Sequence, residues 1–405
     1  MLVSDAGMDI EGRRRRAFMG LGGSTLLACA APKILSGCRT SPAAANRSWT
    51  EPVGARAAEE PRLFALSYAL LAPSSHNTQP WFAELGDANR IHVYSDPSRR
   101  LPHADPLNRQ LLVTLGAFIE TCSIALTHDG FSVRIAPLAD DSREAAIAGK
   151  VPVASVELIP GGAPREDSLF SAIVARHTNK RRYEAGRTVP GRDLDVLAAA
   201  ARREDCELHV LTDRARVQRL AELCREAMTL DVSDPERDQE TAAWFRFSDA
   251  EIERKRDGFG LSQGGVGGFS KWVAETFLLG RKSAGEPSGT FAKKSVELCW
   301  GQASSASAFA WVTTAKNRGS DQLAAGRSYL RVQLAAEQLG IRSQPFSQLL
   351  QEYPAMMRLR QEFKSEFGVR PADTAQMLFR LGYAESTRHS PRRPLSELLR
   401  RRPEG

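Results

Sequence analysis

Cysteine is scarce in this chain, with six residues in 405, no CxxC pair and no His/Cys set at metal-ligand spacing. The spacing therefore argues for neither a metal centre nor a disulfide framework, and Cys122, within an apolar helical run, reads as a small core residue. No GxGxxG opens a helix with an acid beyond it, so no dedicated dinucleotide-binding domain is expected. The net charge of +7 is largely terminal, in Arg13 to Arg16 and in Arg388, Arg392, Arg393 and Arg400 to Arg402. Without an aromatic-interleaved basic stripe, this charge gives no case for nucleic acid as a partner. Long apolar runs are missing too: Leu21 to Pro32 is too short to span a bilayer as a mature helix. What remains is an ordinary globular composition, 42% hydrophobic and 25% charged, long enough for two to three domains or one large core.

Residues 1–38 have the order of an export signal: four arginines, then Ala17, Phe18 and Met19, then the short apolar run. Arg15-Arg16-Ala17-Phe18 resembles the core of a twin-arginine signal, which implies the twin-arginine export machinery as a partner. The implied location is the periplasm or the outer side of the cytoplasmic membrane. Leu35-Ser36-Gly37-Cys38 resembles a lipobox, in which Cys38 would be lipidated and anchor the chain to the membrane; the AxA at Ala28 to Ala30 is the alternative cleavage site. Residues 39–60, rich in Ala, Pro and charge, read as a flexible tether.

The folded part is organised around APSSHNTQPW, Ala72 to Trp81. Leu63, Leu66, Leu70 and Leu71 fall at helical spacing, and Pro73 ends that helix because its ring and missing N–H cannot continue one. Ser74, Ser75, Asn77 and Gln79 then offer small hydroxyl and amide groups suited to a planar, hydrogen-bonding heterocycle. The other reading of the run is a polar turn, and His76 within it reads as a satisfied turn residue. Strands are expected over 90–95, 131–135 and 151–158, around a helix from Leu111 to His128 ended by Gly130. The run from Pro160 to Pro164 closes this first half, residues 61–160.

The pattern then restarts over residues 165–398. Helices are expected over 169–176, 194–201 and 323–339, the last ended by Gly340, with strands over 208–211 and 309–313. Gly116 to Gly130 and Gly326 to Gly340 share one spacing, with Ala125 and Ala335 at equivalent places. A duplicated α+β unit produces such an order, two α/β units in tandem. Within the second half residues 214–300 form an insertion rich in Trp, Phe and Gly, either a lid over a pocket or extra core helices. Arg176-His177-Thr178-Asn179-Lys180-Arg181-Arg182-Tyr183 packs cations and a hydroxyl at a helix end, which suits a phosphate; the alternative is a solvated basic surface.

APSSHNTQPW resembles the flavin-facing "PSxxNxQPW" loop of the nitroreductase superfamily, and Arg176, His177, Thr178 and Lys180 match its "RxSxR" phosphate segment, with lysine in the last arginine's place. The resemblance implies FMN as cofactor and Pro73, Ser74, Ser75, Asn77 and Gln79 as residues against its ring. It also implies that Ser343-Gln344-Pro345-Phe346 is the loop at the flavin's reactive edge, through Gln344 and Pro345, and that Arg392 and Arg393 return to the phosphate. Each half lacks what the other keeps: no RxSxR-like run stands in 50–62 and no PSxxNxQPW follows Ala201. This resembles the Acg-like family of tandem, FMN-binding proteins over roughly residues 60–398. It implies a pseudo-dimer with one FMN per chain, acting as an FMN-dependent oxidoreductase on an unknown small molecule or redox donor. The alternative is a flavin-binding or sequestering protein with a covered ring. Flavin would carry the redox step, so neither a catalytic side chain nor a metal is required. Asp105, Arg109 and the Asp257-Gly258 turn fall at recurring polar positions of that family and are given no role.

Overall fold

The computed structural model describes residues 43–50, 60–87, 89–161, 167–202, 205–264 and 289–400. The expected export signal and Cys38 lie outside the described residues.

The chain enters through helix α1 (Ala43–Thr50) and helix α2 (Pro61–Ala69), which begins with proline at its first position and with the Glu60 carboxylate accepting from the Arg62 amide at 3.2 Å. Strands β1 (Trp81–Leu85) and β2 (Arg90–Ser95) follow, then helix α3 (Arg109–His128), β3 (Ser132–Pro137), the short helix α4 (Arg143–Ile147) and β4 (Ala154–Ile159). They form an antiparallel sheet in the order β1-β2-β4-β3, with Trp81 opposite Ser95 and Ile91 opposite Val156. Along β4 residues alternate between buried and half-buried, the period of a sheet that presents one face to a core.

The second half contains helix α5 (Gly191–Ala201), β5 (Glu207–Leu211), α6 (Arg214–Ser233), α7 (Pro235–Trp244), α8 (Asp249–Lys255), α9 (Thr290–Ala303), β6 (Ala308–Thr314), α10 (Gly319–Gln338), β7 (Arg342–Pro345), α11 (Met357–Glu366), β8 (Thr374–Gly382) and α12 (Leu395–Leu398). Its sheet, again antiparallel, runs β5-β6-β8-β7, the same order as in the first half. Both long central helices end before a glycine of positive φ, Gly130 at 89° and Gly340 at 69°.

Helices α3 and α10 pack on one another where both backbones are bare. A Cβ on Gly116 would stand 2.1 Å from the Leu323 carbonyl oxygen, and one on Gly326 would stand 1.9 Å from that of Val113. Each of those carbonyls belongs to the residue three before the other helix's glycine, so the contact is reciprocal, as a two-fold relation between the helices requires. Around the crossing Leu112, Leu115, Phe118, Ala325, Leu330 and Val332 are all at most 1% exposed. Each buried aliphatic side chain of this kind contributes about 1.5–3 kcal/mol, so the core that joins the halves is also the core that stabilises them.

Three expectations need correction, and the open one about the insertion is divided. The tether over 39–60 is not featureless: residues 43–50 form α1, and Trp49 is only 6% exposed. In place of a helix over 169–176 there is a 3-10 turn at Phe170–Ala172; β-branched Ile173 and Val174 favour helix weakly, and the chain beyond is drawn onto β7, where the Asn179 amide donates to the Ser343 carbonyl at 3.2 Å. Ser343-Gln344-Pro345 is not a loop but edge strand β7, which tolerates proline because its outer side has no ladder to join. The insertion is of two kinds. Its flanks, α6 and α9, are core helices through Leu220, Leu223, Cys224, Cys299 and Ala303, while residues 235–261 lie against the 74–79 loop; residues 265–288 lie outside the described residues.

Candidate functional site

The loop after α2 is bent hard. His76, Asn77 and Gln79 have φ of 50°, 52° and 52°, a left-handed backbone that side-chain-bearing residues adopt at a cost and that neighbouring contacts must hold. Its polar side chains supply much of that hold. The Ser74 hydroxyl accepts from the Gln79 amide at 3.1 Å, and the Ser75 hydroxyl donates to the Gln110 carboxamide oxygen at 2.9 Å. The Asn77 amide nitrogen donates to the Gly258 and Pro391 carbonyls at 2.8 and 3.0 Å, while its oxygen accepts from Arg392 at 2.6 Å. Gln79, fully buried, donates to the Arg256 carbonyl at 2.9 Å and accepts from the Arg393 amide at 2.9 Å. Asn77 and Gln79 thus have both amide atoms engaged by the protein, while the Ser74 and Ser75 hydroxyls keep hydrogen-bonding capacity beside Pro73 and the loop backbone.

The Asp257-Gly258 turn underlies this loop. Asp257 accepts from Arg99 at 2.9 Å and from Arg246 at 2.6 Å, and the Gly258 amide donates to the Asn77 carbonyl at 3.1 Å. Gly258 has φ of 70°, and a Cβ there would meet the Trp244 carbonyl oxygen at 2.2 Å, so only glycine fits. Asp105 accepts from the Gln110 and Leu111 amides at the start of α3, and Arg109 donates to the Leu350, Ala375 and Gln376 carbonyls, joining that helix to the second sheet. Both therefore have structural work at the helix that carries Gln110.

Against the loop stands a group of buried cations. Arg176 donates to the Leu71 carbonyl at 3.0 Å, and Arg392 donates to the carbonyls of Leu71 and Ala72, both at 3.1 Å. Arg393 donates to the Gln79 carbonyl at 2.8 Å. Lys180 is half-buried, its ammonium 4.2 Å from the centre of the Phe259 ring. Among the described residues, none of Arg176, Lys180 and Arg392 has a carboxylate within ion-pair distance, and the buried Arg392 Nε has no partner. Burial pushes Arg176 down to about 10 and Lys180 down to about 8, and it lowers Arg392 well below the usual guanidinium value, with Arg176 adding repulsion. His76 is pushed down to about 4 by burial and by Lys180, so it stands neutral. Desolvated positive charge with no carboxylate in ion-pair contact, Glu337 acting on Arg176 only from farther away, and with an unused N–H is chemically suited to a buried anion such as a phosphate ester.

The remaining expected residues are farther from this centre. His177 turns its Nδ1 to the Ala175 carbonyl at 3.0 Å and its Nε2 to the Ser386 hydroxyl and the Thr387 amide, so it fastens the 384–391 segment. Thr178, half-buried, sits between His177 and Asn179 in the run that joins this segment to β7. Gln344 belongs to a network centred on Arg380, which is fully buried, donates to the Gln344 oxygen at 2.9 Å and also holds the Asn179 and Arg181 carbonyls. Pro345 pairs with Phe379 in the sheet. Through Gln302, which bonds both Gln344 and the Lys180 carbonyl, this network fixes the backbone that carries Lys180. Arg380, Gln110, Trp49 and Phe259 were not among the expected residues; nothing local in sequence marks a lone residue as the neighbour of a distant loop.

No protein-family model matches the chain. Over 181 residues it is 30% identical to a protein of Mycobacterium tuberculosis (strain H37Rv) provisionally named NAD(P)H nitroreductase Rv3131, a match covering 44% of this chain and 49% of the relative. Over 68 residues it is 41% identical to another provisionally named NAD(P)H nitroreductase, PigM of a Serratia species, covering 16% and 19%. The chain thus spans at most about half the length of the curated relatives it matches. Among solved structures it is similar to an FMN-bound nitroreductase from Bacteroides fragilis, with a TM-score of 0.31, 15% identity and coverage of 54% and 89%. It is also similar to the FMN-dependent nitroreductase NfnB of Mycobacterium smegmatis in complex with NADPH, with a TM-score of 0.34, 17% identity and coverage of 57% and 96%. At these TM-scores the structural likeness bears on neither family nor chemistry. The sequence similarity is to nitroreductases.

Proposed function

We propose that this chain is an FMN-dependent oxidoreductase of the nitroreductase type, a tandem pseudo-dimer with one flavin site between its halves. The observation that carries the reading is the set of carboxylate-free cations Arg176, Lys180 and Arg392 gathered from the second half around a loop of the first. Arg176 and Arg392 would hold the phosphate, while the backbone of Pro73 to Gln79, with Lys180 beside it, would face the ring. A bound flavin supplies two-electron transfer between a donor and an acceptor. The protein's share is to bind it, orient it and control access. His76, neutral across the physiological range, holds no exchangeable charge beside Lys180.

The provisional NAD(P)H nitroreductase names of the relatives suggest NAD(P)H as donor. Twin-arginine export, with lipidation at Cys38, is the reading of residues 1–38. It would carry the folded, flavin-loaded chain to where soluble NAD(P)H is scarce and a membrane or protein donor is needed instead. A second reading, a flavin-holding protein with little turnover, is favoured by the packing of α7 and residues 256–259 on the loop: Thr241 lies 3.3 Å from His76, and Phe259 lies over Lys180.

The test is the absorbance spectrum of the purified chain, release and counting of its flavin, then oxidation of NADPH with a nitroaromatic or quinone acceptor. One FMN per chain with turnover supports the enzyme, and one FMN without turnover supports the second reading. No flavin after reconstitution removes both.

A further inference from the structure

We propose that Trp49 is a positioning residue of the anion site and that helix α1 is its cover, so that docking of this N-terminal arm and binding of a phosphate monoester reinforce one another. The inference rests on the reading of Arg176 and Arg392 as the phosphate-binding pair.

An eight-residue helix is too short to hold itself together in water, since isolated helices need about 12–15 residues to be even marginal. Contacts elsewhere must sustain α1. At its start, the Ala44 and Ala45 amides donate to the Glu253 carboxylate of α8 at 3.0 and 3.4 Å. Along it, the Ala45 carbonyl accepts from the Arg392 amide at 2.9 Å. At its end, the Trp49 indole N–H donates to the Ser390 carbonyl at 2.9 Å, and the ring stacks on His389 at 4.2 Å. The same indole stands 4.9 Å from the Arg392 guanidinium and 5.7 Å from that of Arg176. One indole ring thus stands near both arginines of the anion site.

This placement has an energetic consequence. Two guanidiniums forced together out of water repel, and the negative face of an indole offsets part of that cost while shutting solvent out. A phosphate ester would offset more, and a guanidinium fixed by an anion is a firmer platform for the ring. By linkage, whatever strengthens the anion's hold strengthens the arm's docking by the same factor, and the reverse.

The test uses the full chain, with Trp49→Ala, Trp49→Leu and Trp49→Phe. Release of FMN is followed by the fluorescence of the freed flavin. Separately, the melting temperature of the flavin-free chain is recorded with inorganic phosphate against chloride at matched ionic strength. Loss of the indole should speed FMN release by about tenfold in the Ala and Leu variants, and phenylalanine should recover most of it. Phosphate at one fixed concentration should raise the melting temperature of the wild type by more than that of Trp49→Leu, which keeps apolar bulk where the alanine variant leaves a gap. Wild-type release rates and an unchanged phosphate effect in Trp49→Leu would overturn the proposal. A chain stabilised by phosphate through Trp49 that never takes up FMN would leave this inference standing and remove the flavin reading.

Discussion

The entrances of the two central helices can be set side by side. At α3, Gln110 and Thr114 meet the Ser75 hydroxyl and amide, and the loop they support is pressed against buried arginines. At α10, the residues at the same spacing from the crossing glycine are Ser320 and Ala324, and they line a cavity of about 470 Å³ with Arg202, Asp205, Arg327, Ile119 and Pro137. Sheet order and helix crossing are shared, but the chemistry is not. Asp205 and the Glu120 carboxylate, which binds Arg327 at 2.6 Å, supply negative charge on the cavity side, whereas Arg176 and Arg392 have no such partner. Two units with the same sheet order can keep their packing while only one of them gathers buried cations, because packing and charge are carried by different residues.

The largest effect should come from removing that charge. Arg176→Ala should weaken FMN binding by about 100-fold, the scale of losing a charge-assisted contact to phosphate together with the cradle it holds. The stability of the flavin-free chain should fall much less than for a core truncation, because a buried cation without a carboxylate in contact is itself unfavourable. Equilibrium titration and urea unfolding of the same variant separate the two quantities. A variant that binds FMN normally would move the phosphate elsewhere.

The crossing should respond alike from both sides. Gly116→Ala and Gly326→Ala each drive a methyl into a backbone carbonyl that cannot retreat without separating the helices. Each should cost about 3 kcal/mol or more, and the two penalties should agree within about 1 kcal/mol. Unequal penalties by denaturant unfolding would show that the two-fold relation is only approximate where it matters most.

Lys180 gives a smaller, pH-dependent effect on the built side alone. Its folded value, about 8, lies below the ordinary 10.5, so between these the unfolded chain binds more protons than the folded one. Stability of the flavin-free chain should therefore rise as pH goes from about 8 to 10.5, and Lys180→Met should flatten that rise. A bound anion favours the protonated lysine, so FMN affinity should fall across the same window. Thermal melts and flavin titrations from pH 7 to 10 read both slopes; a wild-type profile as flat as that of the methionine variant would place Lys180 in solvent.

Much of the scaffold was legible because it is written in local periodicity. The apolar spacing of 111–128, the alternation in 90–95 and the closing Gly130 and Gly340 each describe their own segment, and the shared spacing picked out Gly116 and Gly326, which meet at the helix crossing. The site was legible as residue types, not as partners. Asn77 and Gln79 invited reading as ligand contacts because free amides can face a ring, but tertiary contacts to Gly258, Pro391, Arg256 and Arg393, 177 to 314 positions away, consume them. The same distance hid Trp49: a tryptophan in an Ala- and Pro-rich stretch shows nothing of the arginines it covers until residues 43–50 are laid on the C-terminal segment.

The smallest effect, and the one that bears most directly on the comparison, is expected at the cavity beside α10. Arg202→Ala combined with Asp205→Ala should leave both the FMN count and the affinity within about twofold of wild type. The reason is that attraction at this mouth is already divided among charges of both signs, Arg202 and Arg327 against Asp205 and the Glu120 that binds Arg327, so no uncompensated cation remains to draw a phosphate in. Equilibrium dialysis with FMN, repeated with the Arg176→Ala chain, gives the contrast. If the count falls from two to one in the cavity variant, both entrances bind and the charge asymmetry does not decide occupancy. If it stays at one there and falls to none in Arg176→Ala, charge rather than shape selects which of two similarly framed spaces holds the ligand.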